Sequence, residues 1–201
     1  QRQMCIRDSF DTGDASSGEE NTPFVLKEIL LRIFTNPVIL TVGLIELCTG
    51  VLRNGVMHWF PIFANERIAV SSDAPAWEFW LNNWGLMLMI AGASGGMLAG
   101  WMSDHLFGSR RAPVAGILYS VLLAAVIGMA FNLYGSPHVL GALVFVISIA
   151  VIGTHGMLSG TATMDFGGRK AAATAVGLID GLVYLGTGIQ SISLGYITSS
   201  N

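Results

Sequence analysis

Five long apolar segments constrain the fold of this chain more than any other feature. They cover about residues 37–63, 80–102, 113–133, 138–164 and 171–197 of the 201-residue sequence. Each segment is long enough to cross the hydrocarbon core of a bilayer. Since segments of this length, rich in glycine, satisfy their backbone in lipid as helices, we expect an all-α membrane protein with about five transmembrane helices.

The composition agrees with this fold class. The chain is 52% hydrophobic and 11% charged, whereas soluble domains carry about 25% charged residues. Cys5 and Cys48 are far apart in the sequence, so we expect no disulfide. We find no metal-ligand spacing, phosphate-cradling glycine loop, nucleophile–base arrangement or nucleic-acid patch. The sequence therefore predicts no metal, no cofactor, no nucleic-acid partner and no enzymatic activity.

The first residues differ in character from the rest of the chain. Residues 1–9 (QRQMCIRDS) resemble translated adapter sequence, which we interpret as a sequencing artefact and as a sign that the chain is a fragment. Residues 10–36 are interpreted as a cytoplasmic linker that carries a short amphipathic segment. The transmembrane helical domain is then expected over residues 37–198.

Basic residues alternate between the connections and so predict the orientation of the chain. Pairs of basic residues occur before the first span, between the second and third spans, and between the fourth and fifth. The two other connections together hold a single basic residue. By the positive-inside rule, we expect the start of the chain to be cytoplasmic. We also expect a multi-pass protein of the plasma (inner) membrane. Five spans then leave Asn201 outside, where a sixth span would begin. The paired residues are Lys27 and Arg32, Arg110 and Arg111, and Arg169 and Lys170, and the single one is Arg67.

Arg53 lies near the middle of the first span, where a charge costs about 2.5–3.5 kcal/mol on insertion scales. An arginine at this depth indicates a functional role, because stability alone would favour leucine. The guanidinium stays charged, and its planar fork fits phosphate or carboxylate oxygens. Arg53 therefore predicts a membrane protein that handles an anion.

Other polar residues within the spans leave alternatives open. Glu46 precedes Arg53 by two helical turns, so it is either a counter-ion for Arg53 or an acid hydrogen-bonded to a neighbouring helix. Asp180 lies one turn before Tyr184 and either pairs with Arg53, carries a proton or is solvated by a water-filled vestibule. Glu46 is the other candidate for proton coupling. His155 is either a phosphate donor that titrates near neutral pH or a satisfied core residue.

Two glycine-containing patterns belong to the second span and the loop that follows it. Gly92, Gly96 and Gly100 repeat every four residues and predict a stripe where another helix packs closely. The loop GWMSDHLFGSRR follows, in which Asp104 can pair with Arg110 or Arg111 as a cytoplasmic latch or gate. The alternative for this loop is a set of solvated charges whose placement reflects only the positive-inside rule.

The same loop resembles the G-x-x-x-D-(R/K)-x-x-(G)-x-R-R loop of the major facilitator superfamily. The segments VLRNGVMHWFP at 51–61, RKAAATA at 169–175 and YLG at 184–186 are similar to the organophosphate:phosphate antiporter family within it. That family includes the glycerol-3-phosphate and hexose-phosphate exchangers. The resemblance covers about residues 24–198 and implies the C-terminal half of a transporter, helices seven to eleven of twelve, as an incomplete six-helix bundle.

The resemblance also implies a substrate site. The family holds its phosphate on two arginines, one from each half, and Arg53 matches the second. Tyr184 aligns with a pore-facing tyrosine and His155 with a substrate-facing position. Asn54, His155, Asp180 and Tyr184 are then expected to shape the site around Arg53, with the first half and the last helix of the same transporter as partners.

The predicted function is exchange of a phosphorylated small metabolite, such as glycerol-3-phosphate or a sugar phosphate, for inorganic phosphate by alternating access. Two alternatives stay open. One is a proton-coupled symporter for an organic anion, with Asp180 or Glu46 as the proton carrier. The other is a transporter-like receptor for sugar phosphate, which would bind its ligand with negligible flux.

Overall fold

The computed structural model describes residues 34–199, and for residues 160–172 it describes the backbone alone. Every regular element in this range is helical, and five helices are long and apolar enough to cross a membrane. The predicted all-α membrane fold with five spans is thus confirmed. The elements are α1 (Pro37–Val70), α2 (Ala74–Asn82), α3 (Trp84–Trp101), a π-helical turn (Met102–Leu106), α4 (Arg111–Asn132), α5 (Pro137–His155), a second π-helical turn (Gly156–Ala162) and α6 (Thr163–Ser199).

Several sequence-based predictions fall outside the described residues. The proposed artefact at 1–9 lies there, as does the linker at 10–36 except for its last three residues. The predicted cytoplasmic connection with Arg169 and Lys170 lies within residues 160–172, outside the described side chains.

Polar residues followed by proline mark the start of two of the helices. Asn36 caps α1, because its side-chain oxygen accepts hydrogen bonds from the backbone N–H groups of Val38 at 2.9 Å and Ile39 at 3.4 Å. Pro37 follows at the first helical position, where its missing N–H costs nothing. A proline also stands at the start of α5, where Pro137 follows Ser136, but the Ser136 side chain makes no capping hydrogen bond.

Two helix boundaries differ from those expected from hydropathy. α1 continues beyond the apolar segment to Val70, because helical hydrogen bonding persists after the side chains become polar. The residues predicted to start the second span divide between two helices, with the chain turning at Asn83. The Asn83 side-chain amide donates to the Phe79 carbonyl at 2.8 Å, which ties that turn to the end of α2.

The helices pack so that α1 and α6 run side by side in the same direction. Gly43 of α1 lies against Leu182 of α6, and eleven residues later Asn54 contacts Gln190. The two helices meet most closely at Gly50, where an added Cβ would collide with the Val183 backbone. Small residues at such crossings are typical of membrane helix packing, which relies on close van der Waals contact.

A second close contact joins α3 to α5, but not along the expected stripe. A Cβ built on Gly95 would lie 2.5 Å from the Ile149 carbonyl oxygen, and one on Gly153 would lie 2.6 Å from the Gly95 oxygen. In contrast, Cβ atoms on Gly96 and Gly100 would meet no atom of the described chain within 4 Å. The packing stripe is therefore shifted by one residue, to Ala91, Gly95 and Ala99, all of which are buried.

An aromatic cluster fills the end of the bundle where α1 ends and α2 begins. Phe60 and Trp84 lie with ring centroids 4.8 Å apart, and Phe63 meets Trp77 edge-on at 5.7 Å. The ring of Trp80 occupies the space that a side chain on Gly141 would need. This cluster fixes the second half of α1, and hence the helix that carries Arg53, against α2, α3 and α5.

Candidate functional site

Arg53 lies at the middle of α1 and is only half-buried. None of the hydrogen bonds or ion pairs found among residues 34–199 involves its guanidinium. Because a charged group at membrane depth is stabilised by pairing or by water, an unpaired guanidinium there can bind an anion. Its five N–H donors suit two oxygens of one phosphoryl group.

Glu46, two turns before Arg53, is directed to another helix. It is fully buried, and its Oε2 lies 2.7 Å from Nδ1 of His155 at the end of α5. The other carboxylate oxygen, Oε1, is buried without a hydrogen-bond partner in the described part of the chain. The structure thus brings together two predicted site residues, Glu46 and His155, in one ion-pair contact between α1 and α5.

A second polar contact lies one turn further along α1. The Thr49 hydroxyl donates to the Ile45 carbonyl at 2.9 Å and lies 2.7 Å from the Tyr119 hydroxyl of α4. Thr49 is buried. Together with the Glu46–His155 pair, this contact forms a polar layer that links α1 to both α4 and α5.

Asn54, the neighbour of Arg53, contacts α6. Its side-chain amide donates to the Ser191 hydroxyl at 2.8 Å and, in a short contact, to the Gln190 side-chain oxygen. The Thr187 carbonyl lies at 3.5 Å from the same nitrogen. The Asn54 side chain therefore clamps α1 to α6 close to Arg53.

The α1–α6 register places Asp180 and Tyr184 at a different depth from Arg53. Asn54 contacts Gln190, so Tyr184 and Asp180 precede this level by about 9 and 15 Å at 1.5 Å per residue. The Tyr184 side chain is 66% exposed. The Asp180 Oδ1 is buried with no hydrogen-bond partner among the described residues. Arg53 and Asp180 thus lie at two different depths along α1 and α6.

The glycine-containing loop forms a compact turn after α3. Gly108 and Ser109 both have positive φ angles, of 56° and 63°. The Ser109 backbone N–H donates to the Ser103 carbonyl at 2.7 Å, and its hydroxyl lies 3.4 Å from Asp104 Oδ1. The Asp104 carboxylate is therefore held by its own loop, while Arg110 is exposed and Arg111 begins α4.

Two features of the site were not found from the sequence. The contact between Gln190 and Asn54 could not be predicted from the sequence, because a side-chain amide in a span that holds other polar residues can face any neighbouring helix. The close contact at Gly50 could have been suspected, since Gly43 and Gly50 repeat at seven residues on one face. Among the described residues, no group of three His, Cys, Asp or Glu side chains could hold a metal ion.

Comparisons with known proteins identify relatives along most of the chain. The chain is 30% identical over 161 residues to a glycerol-3-phosphate transporter of Bacillus subtilis. That alignment covers 80% of this chain and 35% of the transporter. It is 28% identical to the "Probable hexose phosphate transport protein" of Chlamydia pneumoniae, over 92% of this chain and 41% of the relative. A third relative is the membrane sensor protein UhpC of Salmonella typhimurium, which is 26% identical. That alignment covers 93% of this chain and 41% of the relative.

The chain spans roughly two fifths or less of the length of these relatives. The relatives are named as transporters and a sensor, which supports a non-enzymatic role at the level of the family. No solved structure gave a significant match. The family model of the Major Facilitator Superfamily matches residues 5–191. The five apolar helices and this match together show that the chain is a multi-pass membrane protein that belongs to the Major Facilitator Superfamily.

Proposed function

We propose that this chain forms part of the substrate pathway of a transporter that exchanges a phosphorylated small metabolite for inorganic phosphate. The observation that carries the proposal is the guanidinium of Arg53, unpaired within the described chain at the middle of a membrane span. Relatives named for glycerol-3-phosphate and hexose phosphate support a phosphoryl group as its ligand.

In this proposal Arg53 binds two phosphoryl oxygens through paired, charge-assisted hydrogen bonds. The side chains toward the start of α6 then contact the organic part of the substrate. The exposed Tyr184 hydroxyl can donate to a substrate oxygen, and the unpaired Asp180 oxygen can accept from a substrate hydroxyl. A phosphorylated polyol or sugar carries a phosphoryl group at one end and hydroxyls along its body, so it offers partners of both kinds.

The other predicted site residues act indirectly in this scheme. Asn54 holds α1 against α6 through Gln190 and Ser191, so it sets the position of Arg53 rather than contacting the substrate. His155 is engaged with Glu46 at 2.7 Å. Both contacts fix the arginine-bearing helix from two sides, which is how supporting residues keep a binding group in place.

The transport mechanism we propose is alternating access, with the substrate bound near the middle of the membrane between this bundle and the rest of a longer protein. The resemblance implies a second arginine in that other part. An empty site with two positive charges would make reorientation costly, since each charge at this depth costs about 2.5–3.5 kcal/mol. A bound phosphate neutralises the charge, so reorientation occurs with substrate and the result is exchange.

A second candidate function is a sensor that binds the same ligand. It is favoured by the relative named as a membrane sensor protein, which aligns with 93% of the chain. Binding would then occur with negligible flux, and the cytoplasmic loops would contact a signalling partner.

Vesicles loaded with phosphate distinguish the two candidates. Because the chain spans 35% to 41% of its relatives, the complete reading frame that encodes it is reconstituted. We expect rapid exchange of external labelled phosphate for internal phosphate, and loss of this exchange in Arg53→Ala. Binding without exchange would favour the sensor, and neither binding nor exchange would contradict both functions.

A further inference from the structure

Among the residues that the structure describes, the buried acid Glu46 has no fixed cation to neutralise it. Its side chain is 0% exposed, and its ion-pair contact within the described chain is with a histidine, which is charged only when protonated. A buried carboxylate is stable only when it is protonated or paired with a cation. Glu46 and His155 must therefore hold a proton between them, either on the carboxyl oxygen or on the imidazole.

The surroundings of the pair leave this proton as the main source of compensation. Among the described side chains on the helices packed against α1 near this depth, the titratable ones are Tyr119 of α4, and Asp180 and Tyr184 of α6, none of which is cationic. The Tyr119 hydroxyl is engaged with Thr49 at 2.7 Å. Glu46 Oε1 has no donor among the described residues. On α1 itself, the other titratable groups nearby are Cys48 and Arg53.

The histidine is the more accessible partner of the pair. The His155 side chain is 20% exposed, whereas that of Glu46 is fully buried. His155 is the last residue of α5, and the helical backbone continues past it into the second π-helical turn. The π-helical turn that follows begins at the exposed Gly156, and an added Cβ there would meet no described atom within 4 Å. Such turns are frequent at functional sites, where helices depart from regular geometry.

Arg53 is close enough to influence this proton. It lies seven residues after Glu46 on the same face of α1, about 10 Å along the axis. At this separation, a unit charge in a protein of effective dielectric constant about 20 moves a titration midpoint by on the order of one pH unit. Any group that neutralises Arg53 therefore changes the proton affinity of the pair by about tenfold.

We propose that the Glu46–His155 pair is a proton-binding site coupled to the charge state of Arg53. This inference rests on the proposed function in one respect: a bound phosphoryl anion is taken as the group that neutralises Arg53. By linkage, anion and proton then favour each other's binding to the same degree. One proton crosses with the anion and leaves from the imidazole to water, and no bond other than N–H or O–H is made or broken.

The proton site is tested on the complete reading frame in lipid nanodiscs, by nuclear magnetic resonance of ¹⁵N-labelled histidine. The signal of His155 is assigned from its loss in His155→Gln, and those of His58, His105 and His138 serve as internal references. We expect Glu46→Gln to move the His155 titration midpoint by about one pH unit or more and to leave the references unchanged. An unchanged midpoint for His155 would overturn the proposal.

Coupling to Arg53 has its own variant and control. Arg53→Gln is expected to move the His155 midpoint by about one pH unit, whereas Arg110→Gln, which removes an exposed charge from the loop before α4, leaves it in place. A His155 titration midpoint that is the same in Arg53→Gln as in wild type would overturn the coupling. If Glu46→Gln fails to fold, infrared spectra of wild-type protein report the Glu46 carboxyl directly. A carboxyl group whose protonation is the same from pH 5 to pH 9, with an imidazole that also does not titrate, would overturn the proton site.

Inorganic phosphate separates this inference from the proposed function. In wild type, saturating phosphate should move the His155 midpoint in the same direction as Arg53→Gln, since both remove the positive charge. A midpoint that responds to Arg53→Gln but not to phosphate would contradict phosphate binding at Arg53 and support the proton site. Phosphate binding without any change at His155 would contradict the coupling alone.

Discussion

Arg53 and Glu46 lie two turns apart on α1 and meet the cost of burial in different ways. Glu46 is fully buried and contacts His155, so one of its carboxyl oxygens is engaged within the bundle. Arg53 remains half-buried and has no partner among the described residues. The positive charge is therefore available to a ligand, while the negative charge is not.

The Thr49–Tyr119 contact gives a prediction for stability at the same scale. Tyr119→Phe removes the hydroxyl that lies 2.7 Å from Thr49, which still has the Ile45 carbonyl as a partner. Hydrogen bonds between membrane helices contribute about 0.6 kcal/mol on average and at most about 1.7. We expect a loss in that range, measured as the free energy of unfolding in detergent. Tyr196→Phe, at an exposed tyrosine, should have no effect.

Asn54 gives a prediction that separates clamping from substrate contact. Asn54→Ala leaves Gln190 and Ser191 without their partner, which should cost about 1–3 kcal/mol of unfolding free energy. The exposed Asn65 on the same helix provides the control Asn65→Ala, expected to change stability by less than about 0.5 kcal/mol. A variant at Asn54 that lost phosphate binding but kept wild-type stability would contradict the clamp and favour direct contact.

Helix contacts depend on which glycine faces a neighbour, and the sequence shows two adjacent candidates in α3. Gly95→Ala places a methyl group 2.5 Å from the Ile149 carbonyl oxygen, and overpacking of this kind costs about 1–3 kcal/mol. Gly96→Ala meets open space and should stabilise the helix by up to about 1 kcal/mol. Thermal unfolding of the two variants measures both. Equal effects, or the reverse order, would contradict the α3–α5 packing described above.

The number of spans could be predicted from the sequence because length and apolarity determine it. The helix ends could not, since hydropathy reports where lipid ends and not where helical hydrogen bonding ends. α1 therefore continues to Val70, and α2 forms in a segment whose charges suggested a loop. Likewise the glycine repeat at Gly92, Gly96 and Gly100 indicated close packing in α3, but the neighbouring residue Gly95 makes the contact.

At the scale of the whole molecule, the order of the helices determines which distant residues meet. The sequence placed Glu46 and Arg53 on one face and left a neighbouring helix as the alternative partner for Glu46. The contact with His155, 109 residues away, depends on α5 being adjacent to α1, which no local pattern reports. The difference in depth between Arg53 and Asp180 has the same origin, because it follows from the α1–α6 register.

The proposed orientation predicts which connections face the cytoplasm. In a background with Cys5 and Cys48 replaced by serine, Ser136→Cys should react with a membrane-impermeant maleimide in intact cells. Ser109→Cys, in the basic loop before α4, should react only after the membrane is permeabilised. Both serines are exposed, so a difference in labelling reports the side of the membrane. The opposite labelling pattern would contradict a cytoplasmic start of the chain.

The central claim is that Arg53 binds the phosphoryl group with the paired geometry of its guanidinium. Equilibrium binding of glycerol-3-phosphate and of inorganic phosphate, with the complete reading frame in nanodiscs, tests this claim most directly when wild type is compared with Arg53→Lys. Lysine keeps the charge but loses the fork, so we predict at least tenfold weaker binding, with Arg110→Lys unchanged. Wild-type affinity in Arg53→Lys would contradict the paired geometry, and wild-type affinity in Arg53→Ala would remove Arg53 from the site.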